Sequence, residues 1–113
     1  MTHPPSPLPR LLSTLSGDPE MGELVDWFVD EMPERISSLN DAMRAHDLAR
    51  LRTLAHQLKG AAGGYGFDQI GRAAGVVERC VDGGSPERAI ADALDELLSL
   101  CRRAAKVEAS DLG

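Results

Sequence analysis

The sequence predicts an all-α fold: an antiparallel up-down-up-down four-helix bundle with a short N-terminal capping helix. Three observations point there. Apolar residues recur in four stripes at steps of three and four, the spacing that lines one face of a helix. Short Asp-, Gly- and Pro-containing turns separate the stripes, as in a bundle whose neighbouring helices reverse direction. Nothing reads as strand.

Residues 1–7 (MTHPPSP) read as a flexible lead-in, with His3 solvated there. Leu8 to Leu15 could form the short capping helix over one end of the core. Asp18-Pro19-Glu20 is a helix start, because Asp caps, Pro suits the first helical position and Glu favours the positive end of the helix dipole. Met21, Leu24, Val25, Phe28, Met32, Ile36, Leu39 and Met43 then form the first stripe. Pro33 lies inside it and removes one backbone hydrogen bond, so one kinked helix is expected.

His46-Asp47 marks a turn with Asp47 as the next N-cap, and Leu48, Leu51, Leu54, Ala55, Leu58 and Ala62 form the second stripe. Gly63, Gly64 and Gly66 end that helix, Gly66 being the expected left-handed cap. Phe67, Ile70, Ala74, Val77 and Val81 face inward from the third helix, which Asp82-Gly83-Gly84 breaks. Ser85-Pro86-Glu87 repeats the cap, proline and acid pattern, ahead of Ile90, Ala93, Leu94, Leu97, Cys101 and Ala104. The bundle domain is thus expected over residues 8–108, with 109–113 as a loose tail.

Length and composition bound the function. A chain of 113 residues is one domain with a modest core, and 42% apolar and 27% charged residues are an ordinary globular balance. A net charge of −6 argues against nucleic acid or an anionic membrane as partner. Cys80 and Cys101 form no C-x-x-C pair and read as small packing residues of a reducing compartment. No leader pattern and no apolar run of transmembrane length is visible, so a cytoplasmic location is expected.

The charge distribution says more. Residues 18–47 hold nine acids against Arg35 and Arg44, whereas residues 48–67 hold Arg50, Arg52 and Lys59 and no acid. His56 lies inside this basic island. Leu54 and Leu58 each lie about 160° from it around the helix axis, so the imidazole points away from the core. Its neighbours at three and four residues are Arg52, Thr53, Lys59 and Gly60, with Gly63 two turns along.

Gly60 and Gly63 each cost a helix about 1 kcal/mol relative to Ala. Tight helix packing could repay Gly63, but Gly60 lies on the His56 face, where close approach by a partner or an anion is the better account. A neutral imidazole, with a pKa of about 6.5, offers a nucleophilic lone pair near pH 7 without a general base. Phosphoryl transfer needs mostly positioning and charge neutralisation, which Lys59 could supply one turn away.

The stretch Ala55-His56-Gln57-Leu58-Lys59-Gly60-Ala61-Ala62-Gly63-Gly64-Tyr65-Gly66 resembles the signature of histidine-containing phosphotransfer (HPt) domains: H-x-L-K-G, small residues, then glycine. The acidic helix with Pro33, the His46-Asp47 turn and the Val77-Glu78 pair look like the family too, so the likeness spans roughly residues 18–105. The resemblance implies a phosphorelay intermediate. His56 would accept a phosphoryl group from a receiver-domain aspartate and pass it to a second receiver. Lys59 would steady the phosphoryl oxygens, and Gly60, Gly63 and Arg52 would border the partner's approach. Some relatives carry Gln where this chain has Glu78, which could accept the ring N–H.

By the resemblance, the partners are response-regulator receivers and an upstream hybrid histidine kinase. The chain needs no cofactor of its own, Mg²⁺ belonging to the receiver. It carries neither G-x-x-x-x-G-K-[ST] nor G-x-G-x-x-G, so a phosphocarrier without ATP binding or autokinase activity is expected rather than an enzyme.

Two other readings compete. A carboxylate-bridged metal bundle wants Glu-x-x-His on an inward face, but Thr53 stands three before His56 and Met43 three before His46, so no metal site is expected. A non-catalytic docking module would bind receivers or other signalling partners without carrying phosphate; the presence of both His56 and Lys59 favours transfer. His46 reads as a cap or surface residue, and Trp27 and Tyr65 as packing residues.

Overall fold

A computed structural model describes residues 9–107. The lead-in 1–7, Leu8 and the tail from Glu108 lie outside the described residues. The chain runs β1 (Leu11–Leu12), α1 (Gly22–Asp30), α2 (Met32–Arg44), α3 (Leu48–Gly64), α4 (Asp68–Asp82), α5 (Glu87–Arg103) and β2 (Ala104–Ala105). The architecture is a helical bundle. α2 packs on α3 and α5, and α4 packs on α3 and α5, so these four helices close a ring around one core. Residues 45–47, 65–67 and 83–86 make the connections.

The expected capping helix at Leu8–Leu15 does not form, and a short strand appears where none was expected. Leu11 and Leu12 pair in parallel with Ala104 and Ala105. A segment this short nucleates a helix poorly, and Ser13 and Thr14 offer the backbone competing hydrogen bonds. Ser13 Oγ donates to the Tyr65 carbonyl and the Thr14 N–H donates to the Gly66 carbonyl at 3.0 Å. Leu11 and Leu15 still lie against the core.

The first helix starts later than expected, at Gly22 with Met21 in the cap position and no side-chain bond there; Asp18 instead holds the turn ahead of it, its Oδ1 accepting the N–H groups of Glu20 (2.7 Å) and Met21 (3.2 Å). The expected single kinked helix is instead two, α1 and α2, parted at Glu31. Pro33 stands in the first turn of α2, where its missing N–H leaves no bond unmade. Phe28 is fully buried against Tyr65 and Phe67, with ring centroids 5.3 and 5.5 Å away. Trp27 is 54% exposed and Leu24 45%, so neither belongs to the core assigned to them. Both lie off the line through Val25, Phe28 and Met32, about one residue's rotation to the side.

Leu51, Ala55, Leu58 and Ala62 are the buried face of α3, while Leu48 is exposed at its first turn. Asp47 Oδ1 accepts the Arg50 N–H at 3.0 Å, and His46 takes the left-handed φ of 54° that closes the preceding turn. On α5 the core is wider than the expected stripe, since Leu98 and Leu100 join Ile90, Leu94, Leu97 and Cys101. Ser85 does not cap this helix: Pro86 occupies the cap position and no side chain bonds there. Both cysteines are free, and burial pushes the Cys101 thiol up to about 12.

Gly66 has φ +80°, as its capping role requires. A methyl group there would also lie 2.5 Å from Ser13 Oγ and 2.8 Å from Thr14 Oγ1. Gly66→Ala is therefore expected to destabilise the fold by about 2 kcal/mol, read as a lower urea midpoint at unchanged slope. An unchanged midpoint would show that the 13–15 segment yields freely.

Candidate functional site

α3 and α4 build the site. The α3 stripe of Leu51, Ala55 and Leu58 fixes the rotation of the helix, which turns His56 outward with its side chain 61% exposed. Across from it on α4, Val77 is fully buried and Glu78 next to it is only 6% exposed. A buried carboxylate needs partners to offset lost hydration. Glu78 finds three, all on α3. His56 Nδ1 lies 2.8 Å from Oε2, Lys59 Nζ donates to Oε1 at 2.9 Å, and Arg52 Nη2 is 3.4 Å from Oε2.

These contacts tune the group. The hydrogen bond from Lys59 is the strongest influence holding the Glu78 carboxyl below its ordinary range; burial opposes it and His56 adds to it. Arg52 is tied further by Asp82, whose carboxylate accepts its Nε–H and raises the guanidinium's already high pKa.

An ionised carboxylate can only accept, so the bond to Glu78 places a proton on His56 Nδ1. In the neutral ring the lone pair then sits on Nε2. The site offers a nucleophilic nitrogen on an open helix face, oriented from behind. It is poorly made for a metal ion, because His56 meets one carboxylate and two cations already share it.

Gly60, Gly63 and Gly64 are exposed, and a Cβ built on any of them meets nothing within 4 Å. Among the described residues no packing explains Gly60. Beyond Lys59 an open groove of about 700 Å³ runs between α3 and α4, lined by Gly63, Gly71, Arg72, Gly75, Val76 and Arg79 among others.

Of the residues singled out from sequence, His56, Lys59, Arg52 and Glu78 come together in one network. Gly60 and Gly63 flank it. Arg52 faces Glu78 and Asp82 rather than standing free beside the approach. Gly75 is a residue that sequence reasoning missed. A Cβ there would sit 3.3 Å from Lys59 Cδ, so this glycine gives the lysine stem its bed. The signal for it was a glycine in mid-helix, which costs stability without reason unless something lies close. His46 sits apart, exposed, with Nδ1 2.9 Å from Glu87 Oε1.

No helix is long and apolar enough to cross a membrane among the described residues. Comparison with curated proteins and with solved structures finds no match. A family model described as "Hpt domain" matches residues 23–108, which takes in every helix but the first residue of α1, and His56 with its whole network. On that match the chain belongs to the Hpt domain family, the phosphotransfer modules of two-component phosphorelays.

Proposed function

We propose that this chain is a phosphocarrier in which His56 Nε2 accepts a phosphoryl group from the aspartyl phosphate of a response-regulator receiver and hands it to a second receiver. The observation that carries the proposal is the 2.8 Å contact from Nδ1 to Glu78 on a ring left 61% exposed. It supports a proton on Nδ1 and the nucleophilic lone pair on Nε2.

In the forward step the Nε2 lone pair forms an N–P bond as the P–O bond to the aspartate breaks. The aspartate leaves as carboxylate, taking the bonding electrons, and the ring keeps its Nδ1–H. No base has to remove a proton. The working unit is residues 8–108, with neighbouring helices antiparallel, as their short connections favour. The phosphoryl group originates from a hybrid histidine kinase in the cytoplasm. The receiver supplies Mg²⁺, and this chain needs neither ATP nor a cofactor of its own.

The test is transfer from a phosphorylated receiver to the chain with Mg²⁺ and without ATP. An acid-labile, base-stable label is expected. Binding by receivers with no label from any of them would move the assignment to a docking module.

Lys59 gives a second check. Its Nζ holds Oε1 of Glu78, the same carboxylate whose Oε2 faces His56, and an ammonium has further donors for phosphoryl oxygens. Lys59→Ala is expected to slow transfer by about tenfold or more, the scale of losing one charge-stabilising donor. The variant is also expected to lose about 1–3 kcal/mol of stability, because the Oε1 of buried Glu78 loses its donor, so rates are compared at a temperature where both proteins are folded by circular dichroism. Equal transfer rates would remove the role.

A further inference from the structure

The buried carboxylate behind His56 bears on what happens after phosphorylation, and this step rests on the phosphocarrier reading. Once Nε2 carries phosphorus and Nδ1 keeps its hydrogen, the ring is a cation. Onward transfer from that form breaks the N–P bond, returns the bonding electrons to Nε2 and releases neutral imidazole. If Nδ1 has lost its proton, the same cleavage expels imidazolide, a far stronger base and a poorer leaving group. Whatever faces Nδ1 therefore sets how readily the phosphoryl group moves on.

Here that group is Glu78 Oε2, 2.8 Å from Nδ1 in a side chain only 8% exposed. A neutral amide in its place would accept the same N–H without favouring the charge. Two cations oppose the carboxylate, but neither cancels it at the ring. Lys59 is bonded to the other oxygen, and Arg52 gives its Nε–H to Asp82 while its Nη2 stays 3.4 Å from Oε2, farther than the ring nitrogen at 2.8 Å. From α2, Glu31, Glu34 and Arg35 line a separate pocket with Leu54 and Leu58, on the side of α3 turned from His56. We infer that Glu78 is a positioning residue that keeps phosphorylated His56 in its imidazolium form, making the module a short-lived, readily reversible phosphoryl donor rather than a store.

The test needs no receiver. Parent and Glu78→Gln are phosphorylated with phosphoramidate, freed of reagent, and followed by phosphorus NMR as the label decays at a series of pH values. A change of about one pKa unit at the ring is a tenfold change in the protonated fraction above the midpoint. Glu78→Gln is thus expected to show the midpoint of its decay profile about one unit lower and, at pH values well above both midpoints, to hold its label about tenfold longer. Ring nitrogen shifts should show Nδ1 still protonated in the phosphorylated parent at a pH where the variant has lost that proton.

Superimposable decay profiles would overturn the inference and leave Glu78 as a mere orienter of the ring, with the carrier reading intact. A parent chain that takes no label on His56 would remove the carrier reading, and this inference with it. Should Glu78→Gln fail to fold by circular dichroism, the parent is compared with free phosphohistidine. A ring midpoint above the free amino acid's supports the inference; one equal to it or lower overturns it.

Discussion

His56→Gln is expected to abolish phosphoryl acceptance while leaving the bundle folded. The loss should be complete rather than partial, because an amide nitrogen has its lone pair delocalised and offers no nucleophile to an aspartyl phosphate. The fold should not notice. The imidazole is 61% exposed and lies outside the buried core cluster. A glutamine amide can still donate to Glu78, so the buried carboxylate keeps a partner near its Oε2. Stability is expected within about 1 kcal/mol of the parent, the range of surface substitutions that leave no buried group orphaned. The check is label transfer from a phosphorylated receiver, alongside a urea titration. Label retained by His56→Gln would sink the assignment, and retained label that disappears in a His46 variant would move it to the exposed ring beside Glu87.

How far the sequence could be read depends on how local each feature is. The outward face of His56 was legible because it follows from rotation about one helix: Leu54 and Leu58 fix it without reference to any other element. The left-handed cap at Gly66 and the Asp47 cap are equally local. The partner of His56 was not legible in the same way. Glu78 is 22 residues away, and its meeting with His56, Lys59 and Arg52 depends on the axial register of α4 against α3. Periodicity gives each helix its face but not its height beside a neighbour.

The pairing of Leu11–Leu12 with Ala104–Ala105 joins the two ends of the domain, and no local pattern announces it. Trp27 was misassigned for a different reason. It was read as a packing residue, whereas its position beside Phe28 on the helix wheel already placed it off the stripe, and it is 54% exposed. Pattern should have outweighed hydrophobicity there, since single exposed apolar residues are ordinary.

Gly60 separates function from stability, and the two are expected to move in opposite directions. It lies one turn beyond His56 on the same helix face, and a Cβ added to it meets nothing within 4 Å. It is an exposed interior position of α3, so Gly60→Ala should stabilise the domain by about 1 kcal/mol, the helix propensity that the glycine forgoes. Gly60→Leu should fold as well as the parent, because its side chain projects into solvent. Yet that side chain would stand in the path of a receiver bringing its phosphoaspartate to Nε2. In-line transfer tolerates little displacement, and a misplacement of about 1 Å can cost about a hundredfold in rate. Receiver-dependent transfer to Gly60→Leu is expected to fall on that scale, while labelling by phosphoramidate, which needs no docking, stays at the parental rate. Parental transfer in Gly60→Leu would mean that the partner does not approach over this turn. Loss of stability in both variants would mean that the glycine serves the fold, against the empty space found around it. A domain that gains stability and loses transfer at one exposed position would show that α3 gives up helix propensity there to keep its surface low enough for a second protein to reach the histidine.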